Sequence, residues 1–324
     1  DYESTVLADH PSGYWRLNAV PSASYAANLG SASSAADGVI GGWTREGVAG
    51  AIAGDVNTAM QFVGNGNARV TIPYTAELNP DPAYGESFTW EAWVKSSCLK
   101  GQALGIVVNR SGESGYVIYV QGDGTLVFNL NRGPGGGYWS GVSIPAADYA
   151  SLVGKWFHLA CVYDAAGGEG YGAASVYTNG VFCASTSIPD ALPVVNSGGP
   201  MVLGDRNFVG CLDEVAVYAE ALSAATLQAH YQAGTSGAGN YPTTILAANP
   251  VGYWRLGETN GVATPPALAA NLSPLESEAD GTYSGGATLG VPGALGDSDP
   301  AARRAPDGGS PRPGTWSSPA PARA

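Results

Sequence analysis

The sequence predicts an all-β fold in which two antiparallel sheets pack face to face, with one short C-terminal helix. Short segments alternate apolar and polar residues with a period of two, as strands with one buried face do. Turn pairs such as Asp123-Gly124 and Asn179-Gly180 separate several of these segments. The chain contains 47 Gly and 22 Pro, which suit tight turns, and 44% hydrophobic residues, enough to bury a core.

The clearest strands follow one another along the first two thirds of the chain. They are predicted at residues 88–95, 116–121, 125–130, 156–163, 175–178, 181–184 and 211–218. In the first of them, alternation places Phe88, Trp90, Ala92 and Val94 on one face. A helix is predicted over residues 224–233, because Ser223 is a good N-cap and Gly234 is a typical C-terminal stop.

An internal repeat sets the predicted domain boundaries. Residues 5–17, TVLADHPSGYWRL, return as TILAANPVGYWRL at residues 244–256. The match continues in order through 26–29 against 269–272, 36–38 against 279–281 and 47–55 against 290–297. The predicted organisation is a complete first copy at 1–234, a flexible linker at 235–240, the N-terminal part of a second copy at 241–302 and an irregular Pro/Arg-rich tail at 303–324.

Composition limits the classes of partner. The net charge is −13, and Lys is rare, so nucleic acid is an unsuitable partner because its phosphates need clusters of Lys and Arg. The same acidic balance disfavours anionic membrane surfaces and favours divalent cations. No apolar run is long enough to predict insertion into a membrane. The chain begins at Asp1, which we take to mean that a leader was removed or that a fragment was cut from a longer chain.

The four cysteines, Cys98, Cys161, Cys183 and Cys211, match no zinc motif by their spacing. An even number of cysteines in a β-rich protein predicts two disulfides and an oxidising compartment. Four cysteines allow three pairings, and the alternative is four buried free thiols.

Six motifs in a fixed order carry a resemblance to a known family. They are HPSGYWRL (10–17), FTWEAWV (88–94), WFHLA (156–160), VYTNG (176–180), LDEVAVY (212–218) and ALSAATLQAHY (221–231). As a set they resemble the laminin-G-like branch of the concanavalin A-like lectin/glucanase superfamily. The resemblance implies a curved two-sheet jelly roll that binds glycans, matrix proteins or neighbouring domains, commonly as an appendage of secreted bacterial proteins.

The resemblance also implies particular disulfides and a cation. Cys211 fits the Gly-Cys-Leu position of laminin-G-like domains, which commonly bonds to an earlier strand, so Cys183 is its expected partner and Cys98 is left for Cys161. Members of the family often carry Ca²⁺ near the rim of a sheet. Oxygen ligands suit this ion, and the candidates here are Asp37, Asp55, Asn57 and Asp213. The alternative is that these side chains only form turns or caps.

Aromatic side chains in loops are candidates for stacking on sugar rings. Tyr138 and Trp139 lie in the Gly-rich segment 133–141, and Trp43 lies in a similar loop. The tryptophans of the other motifs are expected in the core: Trp15, Trp90, Trp93 and Trp156.

No enzymatic activity is predicted. Glycoside hydrolysis needs two carboxylates facing one bond, and the Glu-x-Asp-x-x-Glu pattern of glucanases with this fold is absent. Asp213 and Glu214 are adjacent in a predicted strand, where alternation would point them to opposite faces. His158 lies within a β run and is expected to be a core histidine, and His10 and His230 match no catalytic motif.

These features favour a non-catalytic module at the cell surface or outside the cell that recognises a glycan or an extracellular protein, with Ca²⁺ as a candidate cofactor. The alternative is a structural subunit of an extracellular fibre, in which copies of the chain associate with each other. In that case the partial second copy would add strands to a sheet edge of a neighbouring chain. A fragment cut from a longer array would explain the partial copy as well.

Overall fold

The computed structural model describes the chain in two compact units, Ser22–Pro265 and a unit made of Asp1–Pro21 with Pro266–Ala324. The residues it describes are 25–41, 44–64, 67–81, 85–97, 103–131, 139–188, 193, 196–205, 207–258, 268–269, 281–282, 287–292 and 300–304. For Trp139 and for residues beyond 258 the description covers the backbone alone.

The unit Ser22–Pro265 is built almost entirely from strands. In chain order they are β1 (Tyr25–Ala26), β2 (Gly38–Ile40), β3 (Thr44–Ala49), β4 (Thr58–Val63), β5 (Val70–Ile72), β6 (Phe88–Ser96), β7 (Leu104–Ser111), β8 (Ser114–Val120), β9 (Leu126–Asn131), β10 (Trp139–Ile144), β11 (Phe157–Asp164), β12 (Ala173–Thr178), β13 (Val181–Ser187), β14 (Met201–Leu203), β15 (Val209–Tyr218) and β16 (Gly252–Trp254). The helices are α1 (Ala146–Ala150), α2 (Ala224–Thr235) and α3 (Tyr241–Ala247), with a 3₁₀ turn at Ser33–Ala36.

These strands form two antiparallel sheets, which confirms the predicted fold class. The first sheet has the order β1-β2-β5-β14-β7-β8-β9-β10. The second has the order β13-β12-β11-β6-β15-β4-β3, and β16 pairs with the stretch of β15 that β4 leaves free. Each of the seven strands expected from alternation is present, with small differences at its ends.

Aromatic rings fill the space between the sheets. Phe88, Trp90, Ala92 and Val94 all face this core, as the alternation of β6 predicts. The ring of Phe88 lies 4.7 Å from that of Tyr116 and 6.0 Å from that of Phe128 in the opposite sheet. Burying each such side chain contributes about 1.5–3 kcal/mol, so this layer is the main source of stability.

Helices α2 and α3 cover the outer face of the second sheet. Trp93, on the face of β6 opposite to the core, packs beneath them with Leu227, Tyr241 and Ile245. Helix α2 begins where predicted, with Ser223 accepting a hydrogen bond from the Thr226 N–H at 3.1 Å. It continues through Gly234, where a Cβ would lie 2.5 Å from the Trp93 ring. Gly234 therefore permits close packing. The expectation that it stops the helix is wrong, because the helix extends to Thr235.

A buried charged network also lies beneath α2. The carboxylate of Glu91 on β6 contacts His158 Nε2 and His230 Nδ1, each at 2.9 Å, and accepts a 2.5 Å hydrogen bond from the Tyr218 hydroxyl. Burial by itself raises the pKa of Glu91, but the hydrogen bonds from His158 and His230 outweigh it, and the pKa lies well below 4.5. His158 is a buried histidine with a partner, as predicted.

We expect Glu91→Gln to lower the free energy of unfolding by about 3 kcal/mol at pH 7, because a neutral amide cannot accept from all three donors. Tyr218→Phe removes one donor only and should cost about 1 kcal/mol. Urea denaturation measures both. Because the folded-state pKa of Glu91 is depressed, its stabilisation is present above pH 4.5 and declines as the pH falls below that value. The difference in the free energy of unfolding between wild type and Glu91→Gln should therefore become smaller in acid. Equal losses of unfolding free energy in the two variants, or a difference that does not change with pH, would contradict this role.

Candidate functional site

Three of the four predicted calcium ligands meet beside the middle of β15, near the residue at which β4 begins. Asp55 and Asn57 lie in the loop before β4, where Asp55 Oδ1 accepts the Asn57 N–H at 2.9 Å. The Asn57 side-chain amide reaches Asp213 Oδ1 on β15 at 3.4 Å. Asp37 has a different role, since its Oδ1 accepts the Asn28 N–H at 2.8 Å beside the 3₁₀ turn.

A β-bulge adds a carboxylate to this cluster. The register between β15 and β6 shifts between Asp213 and Ala216, and Glu214 takes a left-handed φ of 54°. As a result Glu214 Oε1 also lies near the Asn57 amide, at 3.3 Å. The expectation that Asp213 and Glu214 point to opposite faces is wrong, because the bulge interrupts the alternation of the strand.

Arg255 provides the positive charge of the cluster. Its guanidinium Nη2 lies 2.6 Å from Asp55 Oδ2 and 2.7 Å from Glu214 Oε1. Tyr253 donates its hydroxyl hydrogen to Glu214 Oε2. The Ala51 N–H donates to Asp213 Oδ2 at 2.7 Å. Each carboxylate thus has a partner within the protein.

The charge within the cluster is only partly balanced. Burial and the neighbouring Glu214 raise the pKa of Asp213 well above 3.8, against the weaker effects of Ala51 and Arg255. Burial also raises the pKa of Glu214, while its hydrogen bonds with Arg255 and Tyr253 oppose the change. For Asp55 the opposing hydrogen bonds from the Asn57 N–H and Arg255 outweigh burial, and the pKa is lowered.

These residues do not fit a calcium ion while Arg255 is in place. Calcium takes six to eight oxygen ligands, but here Arg255 stands between Asp55 and Glu214, and Asn57 turns its amide nitrogen towards the carboxylates. In the described residues no group of three or more His, Cys, Asp or Glu is arranged to hold a metal. The cluster instead holds residues 253–255 against β15 by hydrogen bonds and ion pairs.

The predicted disulfide between Cys183 and Cys211 is wrong. β13 and β15 are separated by β12, β11 and β6, which places the two strands about 19 Å apart, whereas a disulfide needs Cα atoms within about 7 Å. Both are free thiols. Cys161 is also a free thiol, buried in the core, and burial raises its pKa well above 9.0. Its expected partner, Cys98, lies outside the described residues.

Of the three residues predicted to stack on sugars, Trp139 alone lies within the described residues, and only its backbone is described. Trp43 and Tyr138 lie outside the described residues. The backbone of Trp139 begins β10 opposite Asn131 of β9. Trp90 and Trp93 are buried, as expected for tryptophans within strands.

The outer face of the first sheet carries a shallow groove that the sequence reasoning missed. Its volume is about 190 Å³, and its lining comes from β7, β8, β9 and the residue before β7: Ala103, Gly105, Val108, Arg110, Val117, Tyr119 and Asn129. The Tyr119 hydroxyl accepts hydrogen bonds from Gln121 Nε2 at 3.2 Å and Asn129 Nδ2 at 3.3 Å. A usable signal was present, because alternation in β8 puts Tyr119 on the face opposite to the buried Tyr116.

A row of side chains, most of them valines, leads across the same face to the groove. Cross-strand pairing connects neighbours in the order Val39, Thr71, Val202, Val108, Val117 and Asn129. Val39 is 46% exposed, and the rest are partly exposed. Unlike the second sheet, this face has no helix packed on it among the described residues.

The family of the chain follows from a comparison with family models. The Laminin_G_3 model, described as Concanavalin A-like lectin/glucanases superfamily, matches residues 64–228, just over half of the chain. The chain belongs to this superfamily. The matched region contains the groove and, of the Glu91 network, Glu91, His158 and Tyr218. No curated protein sequence matches the chain.

Several solved structures are similar to part of this chain at low sequence identity. One is the binding domain of Paraclostridial Mosquitocidal Protein 1, with 18% identity, a TM-score of 0.46 and coverage of 64% of this chain and 52% of that chain. Another is the binding domain of Botulinum neurotoxin DC in complex with rat synaptotagmin II, with 13% identity, a TM-score of 0.45 and coverage of 64% of this chain and 51% of that chain. A third is the ligand binding domain of Botulinum neurotoxin serotype D in complex with N-Acetylneuraminic acid, with 15% identity, a TM-score of 0.44 and coverage of 58% of this chain and 45% of that chain. The aligned part of this chain thus spans about half the length of those chains.

Among the helices that the structure describes, none has the length and apolar character needed to cross a bilayer.

With Arg255 between Asp55 and Glu214, we expect millimolar calcium to leave the melting temperature of the protein unchanged. Differential scanning calorimetry with CaCl₂ and with EDTA measures the effect, and Asp213→Asn serves as the matched variant. A rise in melting temperature with calcium that disappears in Asp213→Asn would overturn this expectation and support the calcium ligands inferred from the sequence.

Proposed function

We propose that this chain is a non-catalytic extracellular binding module that holds a glycan in the groove of the first sheet. The observation that carries the proposal is the composition of the groove. It combines an apolar floor from Val108 and Val117 with a phenol, an amide and a guanidinium from Tyr119, Asn129 and Arg110. Sugars present both apolar C–H faces and hydroxyl groups, and these two kinds of surface complement them.

The size of the groove supports recognition at a surface. At about 190 Å³ it is smaller than the 300–1,000 Å³ typical of pockets that enclose a small molecule. A groove of this size accommodates part of one sugar unit and leaves the rest of a chain in solvent. This suits a module that binds exposed glycans attached to larger structures.

The positions of the acidic residues support a non-catalytic role. Glu91, Asp213 and Glu214 are fully buried, and each hydrogen-bonds to protein groups. A carboxylate that transfers a proton to a glycosidic bond must come within hydrogen-bond distance of it. Among the described residues, those that line the groove are Arg, Tyr, Asn and apolar residues.

The extracellular location rests on the family and on the proposed ligand. The disulfides that first suggested it are absent at Cys161, Cys183 and Cys211. The acidic surface, with a net charge of −13, supports solubility and does not by itself choose a compartment.

A protein partner is the second candidate, and the row from Val39 to Val117 favours it. A flat apolar strip along one face of a sheet offers more contact to a protein than to a sugar. Assembly of several copies into a fibre stays a prediction of the sequence.

Binding of the full chain to an array of immobilised glycans tests the proposal. For a glycan that binds, we expect Tyr119→Ala to raise the dissociation constant about tenfold or more, because the variant loses the ring and a hydrogen-bonding hydroxyl. Trp139→Ala tests the neighbouring strand in the same assay. The matched control is Tyr171→Ala, which removes a tyrosine that is 44% exposed elsewhere, and it should stay within about twofold of wild type.

Equal binding by wild type and Tyr119→Ala would place the ligand site elsewhere. If the chain binds no glycan on the array, glycan recognition is contradicted and a protein partner becomes the function to test.

A further inference from the structure

A cleft opens on the side of the sandwich where the last strands of the two sheets approach each other. β10 is the last strand of the first sheet, and β13 is the last strand of the second. The cleft between them has a volume of about 280 Å³. Described residues of β10, of α1 with its flanking residues, and of the hairpin formed by β12 and β13 line this cleft, which we call the edge cleft. It shares no described lining residue with the groove of the first sheet.

The floor of the edge cleft is apolar and continues into the core. Ile144 at the end of β10 is buried, and Leu152 and Ala184 are half-buried and pack against the inter-sheet core. Ser143 and Thr178 add hydroxyl groups to the lining. A ligand suited to this cleft therefore combines apolar groups with hydrogen-bonding groups, because covering the floor removes apolar surface from water.

β13 is an edge strand that lacks the usual protection against pairing. Among the described residues, no strand pairs with its outer side. Val181–Ser187 contains neither proline nor a charged residue, and these are the residues that commonly keep an edge strand from pairing with another chain. The backbone N–H and C=O groups on the outer side of β13 can therefore hydrogen-bond to an added strand.

A β-bulge limits the regular part of this edge. The register between β12 and β13 shifts between Val176 and Tyr177, and Ala184–Ser187 then pairs in antiparallel order with Ala173–Val176. Because a bulge interrupts regular pairing, an added strand would hydrogen-bond beside Ala184–Ser187. Ala184 also lines the edge cleft, so the added strand would begin at the cleft. A ladder this short predicts weak, reversible binding.

Asp148 supplies the negative charge of the edge cleft. Among the described residues that line the cleft, it is the one acidic or basic residue. It lies in the first turn of α1 and is exposed. Lys155 brings a positive charge near the rim, since its Nζ donates to the carbonyl of Ser151, a lining residue, at 3.1 Å. The net charge of the chain is −13, so a basic ligand is attracted at long range and meets Asp148 at contact.

We propose that the edge cleft binds an extended peptide segment that carries a basic side chain. The segment adds a strand beside Ala184–Ser187, its apolar side chains cover Leu152 and Ala184, and its lysine or arginine pairs with Asp148. A sugar has no regular row of N–H and C=O groups to offer the edge of β13, so this ligand belongs to a different class from the glycan proposed for the first sheet.

The reactivity of the Cys183 thiol measures occupancy of the edge cleft in the full chain. Cys183 lines the cleft and is exposed, and Cys183→Ser gives the background from the other cysteines. The probe is the acetylated and amidated peptide TVTKTVT. Two matched control peptides replace its lysine by glutamate, or two of its threonines by proline. At the same millimolar concentration, we expect TVTKTVT to slow alkylation of Cys183 about fivefold or more, and each control peptide to slow it less than about twofold, because it lacks the positive charge or the backbone N–H groups.

Substitutions in the protein test the charged contacts separately. Asp148→Asn should raise the dissociation constant of TVTKTVT about fivefold, the effect of losing one exposed ion pair. Lys155→Gln should lower it about twofold, because a repelling ammonium group is removed. Glu220→Gln is the matched control, since it removes an exposed carboxylate outside the cleft, and it should leave the dissociation constant unchanged.

Hydrogen exchange distinguishes an added strand from capture of the basic side chain alone. Saturating TVTKTVT should slow exchange of the amides of Ala184–Ser187 about tenfold, because pairing protects them. The amides of β3, the edge strand at the other end of the second sheet, should be unaffected.

Equal protection of Cys183 by the lysine and glutamate peptides would overturn the assignment to a basic ligand. Equal protection by the proline peptide or by Nα-acetyl-lysine amide, or unchanged exchange of Ala184–Ser187, would show a pocket for a side chain in place of a strand and overturn the proposal. The absence of protection by every probe would overturn it as well.

Discussion

The pairing of Gly252–Trp254 with Val215–Val217 is the interaction on which the rest of the unit depends. β15 is held by β6 along one edge, but β4 covers only part of its other edge, and β16 supplies the remainder. Because alternation sends Trp254 into the inter-sheet core and Tyr253 towards the helices, one three-residue strand seals both layers. The bulge at Glu214 then directs carboxylates at Arg255, which fixes the register of this strand.

The two sheets have divided their roles through their outer faces. The second sheet is covered by α2 and α3, and beneath them the carboxylate of Glu91 contacts His158 and His230. A buried charge with several donors fixes the positions of those donors, since moving any of them leaves an unpaired group in the interior. The first sheet keeps its outer face partly exposed, and there the cross-strand row of Val39 to Val117 ends at Tyr119 and Asn129. A rigid face of this kind presents ligand-binding groups in fixed positions.

The sequence located many elements but fewer of the sites. The alternation of Phe88–Val94 predicted the core face, and Ser223 predicted the start of α2, because both signals are local. The convergence of Asp55, Asn57 and Asp213 was anticipated in membership but not in chemistry, since Arg255 comes from the repeated segment. The pairing of Cys183 with Cys211 failed because strand order in a sheet is not encoded by separation along the chain.

The sequence alone determined the all-β class, the turns and the existence of two copies of one motif, because periodicity, Gly placement and repetition are properties of neighbouring residues. Only the tertiary structure decided that the second Gly-Tyr-Trp-Arg-Leu motif closes the first copy, that Glu214 lies in a bulge, and that Tyr119 and Asn129 meet in a groove. These outcomes depend on contacts between residues distant in sequence, such as those of Trp254 with Val215 and Asn28, which no local pattern encodes.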